Sequence, residues 1–255
     1  MVYGIEVSII FILGLIIGSF SNVCIFRIPK KESIVFPSSH CTSCQHRIKA
    51  IDNIPVLSYI FLKGKCRNCG EKISIRYPTV ELLTAVIYIL IYSIYGWTII
   101  TLIYLILSSA LIIISFIDLD EQIIPDEISL PGIILGFIIS FFMPYITVYN
   151  SFFGILAGGG IIYIIAILGS AIFKKEAMGG GDVKLAAMIG AFLGWKLVIL
   201  SLFVGFFMGA VAGLFLIGLK IKSKEDLIPF GPFIVLGSFI AMFWGNNILS
   251  WYFGL

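Results

Sequence analysis

The stretch KKEAMGGGDVKLAAMIG, residues 174–190, passes from paired lysines through three glycines to Asp182 and then turns apolar. Read as the edge of a hydrophobic segment, it decides the fold, because long apolar runs recur along the whole chain. They lie near residues 7–26, 79–95, 98–117, 128–145, 151–173, 182–195, 197–219 and 231–253. About 20 helical residues cross the roughly 30 Å of a bilayer's hydrocarbon, and the sixth run is short for that. Of the 255 residues, 60% are hydrophobic and 12% charged, against about 25% charged in soluble domains. A soluble core of this length cannot hide so much apolar surface. The expected fold is an all-α polytopic membrane protein with about eight transmembrane helices. The first run has Glu6 ahead of it, no basic start and no small-residue cleavage site, so it is expected to be retained as a helix.

Basic residues orient such a chain. Ten of the 17 lie between Arg27 and Arg76; Lys174, Lys175 and Lys184 follow the fifth run, and Lys220, Lys222 and Lys224 follow the seventh. Only Lys196 falls on the other side. With eight crossings the basic loops share the cytoplasmic face of the inner membrane and both termini lie outside. That face also suits anionic lipid headgroups. The net charge of +3 and its placement suggest no nucleic-acid partner.

Residues 27–78 form the one long polar insert, dividing the chain into a first helix (1–26), the insert, and a membrane domain (79–255). Within the insert, Cys41-Thr-Ser-Cys44 and Cys66-Arg-Asn-Cys69 form two CxxC pairs at a spacing close to that of a four-cysteine zinc site. Each pair runs into a turn-like stretch, as in a zinc ribbon. Four thiolates leave no coordination position open to water, so such a zinc ion is structural. An insert of this size has little core of its own, and the metal is expected to hold it together. Two disulfides are the alternative, disfavoured in a reducing cytoplasm. His40 and His46 are read as bystanders, and Cys24 as a small packing residue in the first helix.

Acidic residues inside or beside membrane spans are costly and usually functional. One such place is Gly179-Gly180-Gly181-Asp182; the other runs from Asp118 through Asp120 and Glu121 to Asp126. Both fall at the basic ends of spans, so carboxylates from distant segments can meet at one depth. Two carboxylates held close share a proton: one takes a proton from water while its partner polarises a scissile carbonyl. Glycines beside Asp182 would make room for a peptide and permit strained backbone. Asp182 also reads as a cap of the sixth helix, the 118–121 acids as a solvated loop face, Asp126 as the acid that starts the fourth span, and Glu81 as a helix-start acid. No HExxH, GxSxG or Walker A loop occurs, and the Gly158-Gly159-Gly160 run reads as close helix packing.

These pieces together resemble the bacterial type IV prepilin peptidases, intramembrane aspartic proteases of the GxGD type. The resemblance is carried by Gly18-Ser19-Phe20-Ser21-Asn22-Val23 running on to Arg27-Ile28-Pro29, by the two CxxC pairs, and by Arg76-Tyr77-Pro78 with Glu81. It continues through Asp118 with Ile124-Pro125-Asp126, Gly179-Gly180-Gly181-Asp182-Val183-Lys184, and Pro229-Phe230-Gly231-Pro232. It implies that Asp118 and Asp182 are the catalytic pair. Asp120 is the rival for the first position, and the family places its catalytic residue eight positions before the acid of IPD. It further implies cleavage of basic prepilin and pseudopilin leaders at the cytoplasmic face, and methylation of the new N-terminus with S-adenosylmethionine. A different class, an ion-coupled transporter, would place its carboxylates at mid-span rather than at span ends.

Overall fold

In the computed structural model the described residues are 2–143, 146–174, 178–219 and 229–254. Lys175, Lys220, Lys222, Lys224 and residues 144–145 at the end of the 128–145 run lie outside them. The described residues form helices and connecting loops without a named strand: α1 (Val2–Arg27), α2 (Leu57–Phe61), α3 (Arg76–Tyr95), α4 (Ile99–Glu121), α5 (Asp126–Ser140), α6 (Val148–Phe173), α7 (Gly180–Gly218) and α8 (Gly231–Phe253). Six of these, α1, α3, α4, α6, α7 and α8, are long and apolar enough to cross a membrane.

The expected crossings beyond these six are α5 and the second arm of α7. The 128–145 run forms α5, which spans only 15 residues and so reaches about 22 Å. The 182–195 and 197–219 runs are the two arms of α7, whose 39 residues would be nearly twice the hydrocarbon thickness if straight. It is broken inside by Gly194, whose φ of 78° and ψ of 172° are not helical. Only glycine populates that region without strain, so the chain changes direction there and keeps two apolar arms.

The residues group into two compact units, Met1–Ile113 and Ile114–Leu255. In the first, α1 and α3 pack where side chains vanish. A Cβ on Gly14 would sit 2.5 Å from the Ala85 Cα, and one on Gly18 would sit 2.6 Å from the Glu81 Cα. Asn22 spans the same seam, donating from Nδ2 to the Tyr77 carbonyl at 3.0 Å. Cys24 is buried, as its reading as a packing residue required.

In the second unit α7 packs against α5, α6 and α8. A Cβ on Gly154 would lie 2.1 Å from the Gly190 carbonyl oxygen, and one on Gly158 would lie 2.2 Å from that of Ala186. Lipid tails are as apolar as leucine, so helices associate in the bilayer by close van der Waals approach, which small residues allow. The packing reading of the Gly158 run therefore holds at Gly158, while Gly160 faces open space.

Candidate functional site

Asp118 lies in the last turn of α4 and Asp182 in the first turn of α7. The fold buries both carboxylates, at 5% and 9% exposure, and packs their two motifs together, Gly181 against Ile124. Both sit at helix ends and not at mid-helix. Asp120 and Asp126 are exposed.

Each buried aspartate is held by a backbone N–H. The Gly231 N–H, at the start of α8, donates to Asp118 Oδ2 at 2.9 Å. The helix N-terminus supplies partial positive charge and an unpaired donor there. A Cβ on Gly231 would stand 2.6 Å from the same oxygen, so glycine is required for the carboxylate to approach. The sequence showed the Pro229–Pro232 motif but not this role, because nothing in its spacing points to Asp118.

Asp182 accepts from the Gly179 N–H at 3.2 Å. Gly179 is the N-cap of α7 and Asp182 its third residue, so Asp182 is not the N-cap that one reading of the sequence made it. The side chain reaches back to the cap instead of being the cap, and this fixes its rotamer beside Asp118. The glycines work differently from expectation. None of Gly179, Gly180 and Gly181 has a positive φ, so strain is not their purpose. Gly181 is small because a Cβ would meet the Ile124 Cβ at 2.8 Å, whereas Gly180 borders open space. Two acidic motifs are thereby packed together, with room left on one side.

Asp126 begins α5 and pairs with Lys184, two residues beyond Asp182. Glu81 departs from its sequence reading. It is the sixth residue of α3, outside the first turn, and is buried. Its carboxylate accepts from the Val56 N–H at 2.7 Å and from the Ser19 hydroxyl. It ties the insert to the α1–α3 pair, and no local sequence signal marks such a partner.

The four insert cysteines are free thiols whose Sγ atoms all lie within 4.8 Å of one another. Cys41 Sγ and Cys69 Sγ are 3.8 Å apart. A tetrahedral ion with metal–sulfur bonds of about 2.3 Å has sulfur–sulfur edges of about 3.8 Å, so the geometry fits one metal ion. Each knuckle turns alike: the Gln45 N–H donates to the Cys41 carbonyl at 2.9 Å and the Gly70 N–H to that of Cys66 at 2.9 Å. Backbone N–H groups of Cys44 and Ser43 hold the Cys41 thiol below the ordinary thiol range, and that of His46 does the same for Cys44. Nearby, Arg67 grips Asp52 in a fork with contacts down to 2.6 Å, and the guanidinium holds that carboxyl below its usual range.

Comparison with known proteins adds the decisive observation. The profile described as Bacterial Peptidase A24 N-terminal domain matches residues 12–95, and that of the Type IV leader peptidase family matches residues 105–214. A Pseudomonas putida protein named prepilin leader peptidase/N-methyltransferase is 34% identical, over 94% of this chain and 91% of its own length. The chain belongs to the type IV leader peptidase family. An Aeromonas salmonicida family member of the same name is 35% identical over 96% of this chain and 93% of its own length. One from Pseudomonas aeruginosa is 34% identical over 94% and 91%. No solved structure matches this leader peptidase family member.

Proposed function

We propose that this chain cleaves the basic leader of prepilins and pseudopilins, with Asp118 and Asp182 as the catalytic pair. The observation that carries it is the burial of both carboxylates at the ends of two helices, in a member of a leader peptidase family. One carboxylate accepts a proton from water as the water oxygen attacks the scissile carbonyl carbon. The other, protonated, gives its proton to the carbonyl oxygen. When the tetrahedral intermediate collapses, the C–N bond breaks and the departing amine takes a proton from the pair. The Gly231 and Gly179 N–H groups hold the two side chains for this exchange, and open space at Gly180 admits the peptide.

The membrane-spanning helices make the chain a multi-pass membrane protein. Its basic loops support the inner membrane, with insert and aspartates at the cytoplasmic face. We assign residues 1–26 to the first helix, 27–78 to the metal insert and 79–255 to the peptidase domain, and zinc as the structural ion of Cys41, Cys44, Cys66 and Cys69. Methylation of the new N-terminus is proposed from the name of the relatives, with S-adenosylmethionine as donor. Among the described residues no glycine-rich strand-to-helix turn with a following acid marks where that donor binds.

The test is cleavage of a purified prepilin in detergent. Asp118→Asn and Asp182→Asn are expected to lose about 10²–10⁴-fold in rate, and Asp120→Asn to stay near wild type. Full activity in Asp182→Asn would leave that residue as a helix cap alone and end the aspartate mechanism.

A further inference from the structure

The first unit contains a groove of about 520 Å³ between α1 and the insert. Its wall on α1 is Ile16, Ser19, Phe20, Val23 and Arg27, and the insert contributes Ser38, Ser39 and Arg47. Ile16 lies eleven residues before Arg27, about 16 Å down the helix. The groove therefore starts at the membrane surface and descends to about the middle of the hydrocarbon. Ile16, Phe20 and Val23 share the α1 wall with the Ser19 hydroxyl, while the Ser38 and Ser39 hydroxyls and the Arg47 guanidinium come from the insert.

The opposite wall comes from the insert, including Ile34 and Val35. The insert thus folds down beside the membrane-depth part of α1 and does not stand off in water. Its attachment is rigid: buried Arg27 donates to the Ser33 carbonyl at 2.8 Å and to the Pro37 carbonyl at 2.7 Å. Charge points the same way. Residues 27–78 carry ten basic residues against Glu32, Asp52 and Glu71, a net of +7, and no carboxylate lines the groove. The insert also exposes Phe36 and Phe61, at 75% and 80%, which is costly for a small domain in water. A cationic surface with exposed apolar side chains is that of a segment lying on anionic lipid.

We propose that this groove binds one anionic phospholipid, an acyl chain along Ile16, Phe20 and Val23 and the phosphate at Arg47, Ser38 and Ser39. The bound lipid seats the insert on the bilayer surface. This rests on α1 crossing the membrane and not on the peptidase assignment, so either can fail alone.

The test uses full-length protein in phosphatidylcholine nanodiscs, with a photo-cross-linking residue at Phe20. Trace phosphatidylglycerol and trace phosphatidylcholine, each isotopically labelled, are offered, and adducts are read by mass spectrometry. Phosphatidylglycerol is expected to label preferentially, and Arg47→Ala to weaken that preference about fivefold. Lys63→Ala, outside the groove, is expected to leave it unchanged. Ile16→Trp, which fills the lower groove, should abolish labelling with the metal content of the insert intact, showing that the fold survives. Equal labelling by both lipids, or no effect of Arg47→Ala and Ile16→Trp, would overturn the proposal. So would displacement of the lipid by inorganic phosphate, by S-adenosylmethionine or by a leader peptide, each naming a different occupant.

Discussion

At the scale of single residues, the site depends on atoms that are absent. Gly231 leaves Asp118 Oδ2 within reach of a backbone N–H because no Cβ occupies the intervening 2.6 Å. Gly231→Ala must push the carboxylate away, and displacement by about 1 Å at a catalytic group costs on the order of 10²-fold in rate. Single-turnover cleavage by this variant is expected to fall by that factor while circular dichroism stays helical. The residues alone left Asp182 open as a cap and Asp118 as a solvated loop acid; the family resemblance paired them, and their burial is what the structure adds. The roles of Gly231 and Glu81 were not legible in the sequence, because their partners lie far along the chain: Gly231 serves a residue 113 positions away and Glu81 one 25 positions away. Local spacing carries no signal at that range.

At the scale of elements, apolar runs located the helices well, but glycine geometry decided how they join. Gly194 turns α7 at a backbone conformation open to glycine alone, and Gly194→Ala is expected to destabilise the protein by about 1–3 kcal/mol, read as a lowered thermal unfolding midpoint. The sequence placed two helices with a boundary next to this residue, and the non-helical backbone of Gly194 is where they meet. Asp126 and Lys184 join the start of α5 to the start of α7. Both side chains are partly exposed, so the pair adds at most about 1 kcal/mol to stability, but it ties the first acidic motif to the second. Asp126→Lys and Lys184→Asp are each expected to slow prepilin cleavage by up to about 10²-fold with little change in unfolding. The double swap should recover most of the rate, and failure to recover would show that the pair plays no positioning part.

At the scale of the whole molecule, the insert and the buried aspartates make separable demands. About one zinc per chain is expected, retained at neutral pH and released by chelator or as acid protonates the four thiolates. Cys41→Ser and Cys66→Ser are expected to lose it. Loss of metal should expose residues 27–78 to protease while the long helices stay protected, which limited proteolysis with mass mapping would show. The clustering of the four cysteines was readable from the paired CxxC spacing alone, because coordination geometry is local and exacting. How the insert lies against α1 was not, because that placement comes from Arg27 and Glu81 reaching across loops.

The cluster also bears on the order of assembly in the membrane. α1 ends at Arg27 and α3 begins at Arg76, so their contact at Gly18 and Glu81 must close a long stretch of chain. Once a metal joins Cys41 to Cys69, only residues 28–40 and 70–75 remain as free tether, and the entropy of bringing the helices together falls. Metal uptake then acts as a clasp on a helical hairpin. A cell short of zinc would meet the defect during biogenesis, as an unpaired first helix, before any substrate arrived.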